Sequence, residues 1–441
     1  MLYLYKEQEI KNLVDERRVK IAFIGLGRVG LPLAATLADA GFSVVGIDIN
    51  PETVSSVNSA NTPYADEEGL DQTVYKNVVT GMLSATSDFS AVTEADIIII
   101  AVPTLIRDEQ PDIEAVIKVA GSISPYMNPG KVVVLQSTVP PGTTEFVLGE
   151  IITKNTSLKA GRDFGLAYSP ERTQSPQVLK DLKTYPKIVG GIDGKSTLAI
   201  AEVYSTFAPS IIQMKSIVAA ELDKVVENTY RDVNIAFANE LALLCQLYGV
   251  DVQEMISTAN SQPYCHILQP GLVGGHCIPM DPYYIISDAT KRGFSPPVIK
   301  AARALNEEMF NTVAGMVENN MKNVTVLGLS FKPGVKSFDT SHTPRLVKKL
   351  EQKGCRVTVH DPFLGNDIYS FQTEPDLYQA ISGADCVILS TAHAQYKELD
   401  FFRVKDLMKG NLIIDIRAVW DPDAIKVLGL KYKGLGRTFN D

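Results

Sequence analysis

An apolar strand that runs directly into a glycine-rich turn constrains the fold of this chain more than any other feature. The β-branched run at 19–24 ends in GLGRVG, which places Gly25, Gly27 and Gly30 in a GxGxxG pattern. A helix-like segment, LPLAATLADAG, and a second apolar strand, SVVGIDIN, follow it. Strand, tight turn, helix and strand in this order predict a βαβ unit of a parallel α/β sheet.

The same turn predicts a dinucleotide site. The first glycine permits the turn, the second lets backbone N–H groups approach a pyrophosphate, and the third lets the helix pack closely. The helix N-terminus faces the anion. We also assign Arg28 and Val29, inside the turn, to cofactor binding. Asp48 ends the second strand, where a carboxylate can bind the ribose hydroxyls of NAD and repel the extra phosphate of NADP. The alternative is a tightly packed turn without a ligand.

Further apolar runs continue the parallel-sheet pattern. ADIIIIAVPT and KVVVLQSTVPPGT both end in polar, proline-bounded tips that carry Thr104 and Thr138. Ligands of open α/β sheets lie beyond the carboxyl ends of the strands, so we expect both threonines to contact the cofactor, although ordinary turn hydroxyls are the alternative. The run FGLAYSPERT ends in the same way with Glu171 and Arg172, for which we favour a role in the cleft over a structural ion pair.

The middle of the chain has the period of one long helix. From Lys215 the pattern is helical, with no internal Gly or Pro before Gly249. Lys224, Asn228 and Arg231 follow at i, i+4 and i+7, so they project from one face. Lys, Asn and Arg between apolar flanks favour a pocket, whereas a solvated face is the alternative. A helix at this position is a natural connector or dimer strut.

A shaped loop follows, GLVGGHCIPMDPYY at 271–284, and it presents Cys277 among glycines, prolines and one carboxylate. Such a segment is a poor helix and a poor strand, so we favour a nucleophilic thiol over an inert buried one. A free thiol is mostly protonated at neutral pH, so a nucleophile needs a nearby cation, helix N-terminus or base. Zinc is the rival chemistry, because Cys265, His266 and His276 add three ligand-type side chains. Their spacing is wrong for one ion, and we predict no metal site.

The last third of the chain repeats the α/β plan. NVTVLGLSF, CRVTVHDP, ADCVILST and NLIIDIR echo, in order, the four apolar strands of the first part. This second copy lacks GxGxxG and has no evident dinucleotide site. Its first turn, LSFKPGVKSFDT, carries Lys332 and Lys336, which we interpret as a positive clamp for a phosphorylated ligand, with ordinary surface lysines as the alternative.

Length and charge restrict the class of protein. A chain of 441 residues predicts two or three domains, and a net charge of −9 argues against a nucleic-acid or anionic-membrane surface. The longest apolar runs are far shorter than the ~20 residues that span a bilayer. Five scattered cysteines and an N-terminus unlike a signal peptide favour a reducing cytoplasm.

Taken together, these motifs resemble the UDP-sugar 6-dehydrogenases, and within them the branch that oxidises UDP-N-acetylhexosamines. The likeness covers nearly the whole chain from about Val19 and rests on GLGRVGLPLA, AVPT, STVPPGTT, SPER, KVVENTYRDVNIAFANELA, GGHCIPMDPYY and LGLSFK. It implies two Rossmann-like doubly wound parallel-sheet domains joined by long helices: an NAD-binding domain at 1–212, a central helical dimerisation region with the cysteine loop at 213–315, and a UDP-sugar domain at 316–441. It also implies a homodimer or higher homo-oligomer.

The resemblance implies a reaction and its residues. The family oxidises a sugar C6 alcohol to a carboxylate in two NAD-dependent steps, with a cysteine thiohemiacetal and thioester between them, for polysaccharide or glycan precursors. Cys277 resembles its nucleophile, Lys224 its catalytic lysine, Asp281 the carboxylate that activates water or accepts protons, and Glu171 the glutamate of SPER, with Asn228 beside them. The positions that match substrate contacts are Arg172, Thr173, Lys224, Asn228, Arg231, Gly274, Phe331 and Lys332.

Two departures from the family pattern leave the substrate open. Many members carry an arginine shortly after the FK turn, whereas FDTSHTPR has Asp339 and no arginine until Arg345. NSQPYCHILQPG lacks the His and Arg pair of mannosamine enzymes, so the glucosamine and mannosamine epimers both stay open. GGHC and Arg231 favour an acetamido sugar over UDP-glucose, which is the nearest alternative substrate. A catalytically silent nucleotide-sugar binder is the more remote alternative.

Overall fold

The structure is a computed structural model that describes residues 1–338, 340–365 and 369–437, so Asp339 lies outside the described residues. It divides into two compact units. The N-terminal unit comprises Met1–Val226 and Tyr283–Phe294, and the C-terminal unit comprises Glu227–Pro282 and Ser295–Asp441. The division falls within the long central helix. The two boundaries between the three domains expected from the family, at 212/213 and 315/316, stay a prediction.

The N-terminal unit alternates strands and helices from residue 20 onwards. Its elements are α1 (Glu7–Asp15), β1 (Lys20–Ile24), α2 (Gly30–Asp39), β2 (Ser43–Ile47), α3 (Pro51–Asn58), α4 (Leu70–Val79), β3 (Leu83–Thr86), β4 (Ile97–Ile100), β5 (Leu105–Arg107), β6 (Gln110–Asp112), α5 (Glu114–Ile123), β7 (Val132–Leu135), α6 (Glu150–Thr156), β8 (Gly165–Tyr168), α7 (Val178–Leu182), β9 (Lys187–Gly191), α8 (Gly194–Ser205) and β10 (Ile211–Met214). Short 3₁₀ turns lie at Leu2–Leu4, Phe89–Glu94 and Ser124–Tyr126, and a π-helical turn at Thr144–Gly149 leads into α6.

The main sheet of this unit has, over the described residues, eight strands in the order β10, β9, β8, β7, β4, β1, β2, β3. Neighbouring strands are parallel except for β8 and β9, which pair antiparallel. The α/β fold class predicted from the sequence is confirmed. The antiparallel pair is an addition to it, because the apolar pattern of a strand carries no information on its direction.

Both faces of this sheet are buried, which explains why its strands are continuous apolar runs. In β4, Ile97 and Ile99 pack into one core cluster and Ile98 and Ile100 into another on the opposite face, all with 0% exposure. Burying each such side chain stabilises the fold by about 1.5–3 kcal/mol. The sheet is therefore a rigid scaffold for the polar residues that follow the carboxyl ends of its strands.

One helix, α9 (Ile217–Tyr248), runs from the N-terminal unit into the C-terminal unit over 32 residues. Gly249 follows its last residue with φ +68°, a left-handed conformation that glycine adopts at little cost. The long helix predicted from Lys215 is thus present and ends where glycine first interrupts the pattern. No helix in the described part of the chain is long and apolar enough to cross a membrane.

The C-terminal unit contains a second parallel sheet. Its elements are α10 (Val252–Ala259), α11 (Asp281–Lys291), which continues into the N-terminal unit, α12 (Pro297–Gly315), β11 (Asn323–Leu327), α13 (Thr343–Gln352), β12 (Arg356–His360), β13 (Gln372–Thr373), α14 (Leu377–Ile381), β14 (Cys386–Leu389), α15 (Ala394–Lys397), α16 (Phe401–Leu407), β15 (Leu412–Asp415), α17 (Pro422–Val427) and β16 (Lys431–Gly434). Within the described residues, six strands follow the order β13, β12, β11, β14, β15, β16, and all neighbours are parallel.

The two sheets repeat one turn. Leu26 N donates a hydrogen bond to Asp48 Oδ2 at 2.7 Å after β1, and Leu329 N donates to Asp361 Oδ2 at 2.7 Å after β11. In each unit the aspartate directly follows the second strand. The internal repeat seen in the sequence therefore extends to individual hydrogen bonds.

Candidate active site

The three glycines after β1 have different surroundings. Gly25 has φ +94°, and a Cβ there would lie 2.2 Å from Ala101 O, while a Cβ on Gly30 would lie 1.9 Å from Gly25 O. Apart from its chain neighbours, no described heavy atom lies within 4 Å of the Cβ position of Gly27. Gly25 and Gly30 are thus required for packing, whereas Gly27 faces open space that a pyrophosphate can enter.

Asp48 lies next to this turn and is held by it. Its Oδ2 accepts from Leu26 N at 2.7 Å and its Oδ1 accepts from Asn50 N at 2.8 Å. The side chain is only partly buried, so the carboxylate is orientated by the backbone and still reachable by ribose hydroxyls. This is the geometry expected for an NAD site.

Arg28 and Val29 lie at the outer side of the turn. The Arg28 guanidinium forms an exposed ion pair with Asp66 at 2.7 Å and lies 5.3 Å from the centre of the Tyr64 ring. Val29 precedes α2 and keeps 39% of its surface exposed. Both predicted residues are therefore at the protein surface next to Gly27.

The two polar strand tips are tied together. Thr104 Oγ1 donates to Thr138 O at 2.7 Å, which joins the tip after β4 to the tip after β7. Ser137 Oγ donates to Val102 O at 2.7 Å and accepts from Val102 N at 2.9 Å. The structure thus brings together the two threonines predicted to contact the cofactor, on adjacent parallel strands.

A residue that the sequence reasoning missed, Glu221, fixes the loop after Thr138. This glutamate of α9 is fully buried; its Oε2 accepts from Gly142 N at 2.5 Å, and its Oε1 accepts from Thr144 N at 2.8 Å and Thr144 Oγ1 at 2.6 Å. Burial, opposed by these hydrogen bonds, raises the pKa of Glu221 to about 7. No local pattern distinguishes it from a solvated helix glutamate, since its partners lie 77 and 79 residues away.

Glu171 forms a buried ion pair with Lys187, which corresponds to the structural alternative to a role in the cleft. Lys187 Nζ donates to its Oε2 at 2.8 Å, and both side chains are nearly buried, at 3% and 9% exposure. Its Oε1 accepts from the backbone N–H groups of Arg172 and Thr173 at 2.8 and 3.1 Å. Burial raises the pKa of the carboxyl, but the attraction of Lys187 and these hydrogen bonds outweigh it, so the pKa of Glu171 is lowered.

The next two predicted residues lie in the same turn. Arg172 Nη1 donates to Pro186 O at 3.2 Å. The Thr173 hydroxyl oxygen is buried and has no hydrogen-bond partner among the described residues. A buried hydroxyl without a partner is costly, so the Thr173 side chain is suited to receive a ligand.

The cysteine loop leads into α11. Cys277 is exposed, and its carbonyl accepts from Met280 N at 3.1 Å and Asp281 N at 2.8 Å. Asp281 is 4% exposed, and Asn228 Nδ2 donates to its Oδ2 at 2.6 Å. Asn228 and Asp281 therefore form a buried hydrogen-bonded pair within the C-terminal unit. Asp281 follows Cys277 by four residues.

The predicted polar stripe lies on a single continuous helix. Lys224, Asn228 and Arg231 all belong to α9, so their spacing places them on one face. Their environments differ: Asn228 is 9% exposed, Lys224 is partly buried and Arg231 is exposed. Lys224 belongs to the N-terminal unit, and the other two residues belong to the C-terminal unit.

The glycines before Cys277 pack against the first turn of the second sheet. A Cβ on Gly274 would lie 2.9 Å from Phe331 Cβ, and a Cβ on Gly275 would lie 2.9 Å from the Phe331 ring. Gly275 N donates to Thr340 O at 3.0 Å. Two predicted substrate residues, Gly274 and Phe331, are thus in contact, and Lys332 follows directly with its ammonium 5.8 Å from the Phe331 ring centre.

A histidine that the sequence reasoning missed supports this turn. Gly334 N donates to His393 Nδ1 at 3.2 Å, and His393 Nε2 lies 3.1 Å from Asp361 Oδ2. Because Nδ1 accepts, the proton of the neutral ring is on Nε2 and is donated to Asp361. The FKPG turn that carries Lys332 is thereby attached to a buried carboxylate.

Two arginines are of interest because FDTSHTPR, at 338–345, lacks the arginine that many family members carry shortly after the FK turn. Arg345 is paired with Glu307, and its guanidinium lies 4.7 Å from the Phe310 ring centre. Arg417 follows β15; its Nη2 donates to Leu272 O in the cysteine loop at 3.2 Å, and burial lowers its pKa to about 10. Arg417 was missed by the sequence reasoning, although it follows a parallel strand at the carboxyl edge, where ligands lie.

Comparison with protein families matches three consecutive domain models of the UDP-glucose/GDP-mannose dehydrogenase family: the NAD binding domain at residues 19–208, the central domain at 218–308 and the UDP binding domain at 325–422. The chain belongs to this family. Its membership makes the chain a nucleotide-sugar dehydrogenase with NAD as its cofactor and a UDP-sugar as its substrate class. The resemblance inferred from the motifs is confirmed.

Individual members of the family are similar over nearly their whole length. The UDP-N-acetyl-D-mannosamine dehydrogenase of Pyrococcus horikoshii is 33% identical over 429 residues, which cover 95% of this chain and 99% of the relative. A solved structure of the UDP-D-ManNAc dehydrogenase from that organism has a TM-score of 0.87 at 32% identity, with 95% and 99% covered. The NDP-N-acetyl-D-galactosaminuronic acid dehydrogenase of Methanosarcina mazei Go1 gives a TM-score of 0.86 at 31% identity, with 97% and 98% covered.

Proposed function

We propose that this chain oxidises the C6 alcohol of a UDP-N-acetylhexosamine to a carboxylate in two NAD-dependent steps, through a thiohemiacetal and a thioester on Cys277. The observation that carries the proposal is the exposed Cys277 on a loop whose next carboxylate, Asp281, is buried and paired with Asn228. An exposed thiol that precedes an ordered carboxylate by four residues is suited to form and hydrolyse an acyl enzyme.

The residues at the carboxyl edge of the first sheet fit NAD. Gly27 leaves space for the pyrophosphate and Asp48 presents an orientated carboxylate to the ribose, while Thr104 and Thr138, joined by a hydrogen bond, would also contact the cofactor. When bound there, NAD accepts the two electrons and the hydrogen of each oxidation.

Cys277 acts between the two oxidations. Its sulfur adds to the C6 aldehyde carbon, a C–S bond replaces the carbonyl π bond, and a proton passes to the oxygen. After the second oxidation the carbon is a thioester, and water then replaces sulfur, which leaves as the thiol. The aldehyde stays attached to the protein throughout, so two NAD molecules are reduced for each sugar.

We assign the charges of the reaction to two residues. Asp281, orientated by Asn228, accepts a proton from the attacking water. Lys224 stabilises the negative charge that develops on the C6 oxygen. The contacts of Glu171 with Lys187 and the following backbone support a different role from general base, namely holding the turn with Arg172 and Thr173.

The substrate side is proposed from the second sheet and the stripe on α9. In the C-terminal unit, Arg231, Asn228 and Gly274 would contact the sugar, whereas Phe331 and Lys332 would contact the nucleotide. Relatives named for N-acetylmannosamine and N-acetylgalactosaminuronic acid support an acetamido sugar. UDP-N-acetylmannosamine is the first substrate to test, because the relative that acts on it matches nearly the whole chain.

The test is the amount of NADH formed per sugar consumed. UDP-N-acetylmannosamine, UDP-N-acetylglucosamine, UDP-N-acetylgalactosamine and UDP-glucose are supplied separately at limiting concentration. Two NADH per acetamido sugar, abolished in Cys277→Ser and retained in the control Cys265→Ser, are expected. One NADH per sugar would refute the thioester scheme, and two NADH from UDP-glucose alone would refute the acetamido assignment.

The association of the chain is also proposed here. An apolar stripe is exposed along α9, with exposures between 41% and 81% at Leu222, Val226, Tyr230, Phe237, Leu244, Leu247 and Tyr248. Exposed large apolar side chains in such a row are typical of an interface, which supports a homodimer or higher homo-oligomer.

The five free cysteines support a reducing, cytoplasmic location.

A further inference from the structure

The backbone that leads to the cysteine loop is held by asparagine side chains. Residues 266–271 lie outside the described strands, so their N–H and C=O groups have no ladder to join. Asn234 accepts from Leu268 N at 2.8 Å and donates to His266 O at 2.7 Å. An asparagine amide carries the same donor and acceptor as a peptide group, and it therefore takes the place of a neighbouring strand.

Two further asparagines each form hydrogen bonds with both the N–H and the C=O group of a single residue. Asn260 accepts from Ile267 N at 2.8 Å and donates to Ile267 O at 2.9 Å. Asn239 does the same for Gly271, at 2.7 Å from its N–H and 3.1 Å from its carbonyl. Asn260 is exposed, whereas Asn239 has 0% exposure. If the Asn260 side chain were removed, water could take over its hydrogen bonds to Ile267. Water could not do so for the buried hydrogen bonds of Asn239 to Gly271.

The orientation of Asn239 is fixed by a buried chain of polar groups. Its Nδ2 also donates to Asn306 Oδ1 at 2.9 Å. Asn306 donates in turn to the backbone and side-chain oxygens of Asp232 at 2.9 and 2.8 Å. Arg303, 2% exposed, donates to Asp232 Oδ1 at 2.6 Å. The amide of Asn239 is thus tied to α9 and α12 and cannot rotate without leaving buried groups unpaired.

The opposite end of the loop is held by the same helix. Asn228 binds Asp281 four residues after Cys277, and Asn239 binds Gly271 six residues before it. The two asparagines are eleven positions apart on α9, which is about three turns and ~16 Å along one face. One rigid helix therefore fixes both ends of the loop that carries the thiol.

We propose that Asn239 is a positioning residue, which with Asn228 fixes the two ends of the 271–281 loop on α9 and so places Cys277 for attack. The inference rests on the proposed function, because it concerns the nucleophile of that reaction. Arg417 supports the same end of the loop: it donates to Leu272 O at 3.2 Å, and a Cβ on Gly271 would lie 2.6 Å from its Nη1.

The test compares Asn239→Ala with the matched control Asn260→Ala. The control removes the same pair of side-chain hydrogen bonds to one backbone residue, but at an exposed position. In the full-length chain, kcat and the KM for NAD are measured, together with the rate of Cys277 alkylation by iodoacetamide, followed by mass spectrometry of its peptide over pH 6–9. Asn239→Ala is expected to lower kcat by about ten- to hundred-fold with KM for NAD nearly unchanged, and to alter the alkylation profile. Asn260→Ala is expected to stay within about two-fold of the parent.

A second variant keeps the proposal testable if Asn239→Ala does not fold. Asn239→Asp retains the size and the acceptor, and only its protonated carboxyl can donate, so its kcat relative to the parent is expected to fall as the pH rises. A kcat of folded Asn239→Ala within two-fold of the parent, equal losses in both alanine variants, or a pH-independent ratio for Asn239→Asp would each overturn the proposal. Absence of NADH from every UDP-sugar in the parent would instead refute the proposed function, and alkylation would still decide the role of Asn239.

Discussion

Replacing Glu221 with glutamine is expected to remove a pH dependence from the stability of the N-terminal unit. Burial, opposed by hydrogen bonds from Thr144 and Gly142, raises the pKa of Glu221 from 4.5 to about 7. Because the folded state binds this proton more tightly than the unfolded state, the carboxyl stabilises the fold most at acid pH. That contribution is lost as the pH rises through about 7. Glutamine has the same shape and does not titrate.

The size of the effect follows from the two pKa values. A rise from 4.5 to about 7 corresponds to about 3 kcal/mol of unfolding free energy, of which about 2.5 kcal/mol is lost between pH 5 and pH 8. Glutamine also turns an N–H group towards a backbone N–H, which costs about 1–3 kcal/mol, but this cost is the same at every pH. The informative quantity is therefore how the difference in unfolding free energy between Glu221→Gln and the parent changes with pH. Its absolute value at any one pH is not informative.

Thermal unfolding of both full-length proteins at pH 5, 6, 7 and 8 measures this pH dependence. The Tm of Glu221→Gln minus that of the parent is expected to rise by on the order of 5 °C across this range. Glu150→Gln, at an exposed carboxylate of α6, is the control and should give a constant difference. A constant difference for Glu221→Gln as well would show that the buried carboxyl does not titrate between these pH values, and the reasoning would be wrong.

Three further outcomes follow from the described contacts. Gly27→Ala, which meets no described atom within 4 Å and no left-handed backbone, should leave Tm unchanged and raise the Kd for NAD at least about ten-fold by calorimetry; unchanged affinity would remove Gly27 from the site. Lys187→Met leaves Glu171 buried without its cation and should lower Tm by on the order of 10 °C, with partial recovery on adding Glu171→Gln; no loss would contradict a buried pair. Phe237→Glu, at 50% exposure on α9, should convert the proposed homo-oligomer to a monomer in light scattering, whereas the exposed control Phe402→Glu should not; an unchanged mass would place the interface elsewhere.

The sequence predicted those features that depend on local pattern. GLGRVG between two apolar runs required a tight turn, and the structure has Gly25 at φ +94° with no room for a side chain. The uninterrupted helical period after Lys215 required one long helix, which ends at Tyr248 before Gly249. In both cases a few neighbouring residues determine the backbone, so no distant partner had to be known.

What the sequence did not predict depends on distant partners. Glu221, Asn239 and Arg417 are polar residues that a helical or strand pattern assigns to a solvated surface, and each is recognised only through a backbone group 32 to 145 residues away. The antiparallel pairing of β8 with β9 was not predicted either, because a short apolar run that is buried on both faces has the same pattern in either direction. Glu171 shows the converse: its motif suggested chemistry, and its buried partner Lys187 was visible only in the fold.

The duplicated turn places the same aspartate in two different environments. Aligned on their first glycine, GLGRVG and GLSFKP place Ser330 where the first copy has Gly27. Ser330 Oγ donates to Asp361 Oδ2 at 3.0 Å, and Asp361, which also faces His393, is only 1% exposed. Restoring a dinucleotide site in the C-terminal unit would therefore require uncovering Asp361, since adding glycines alone would leave the ribose without its partner.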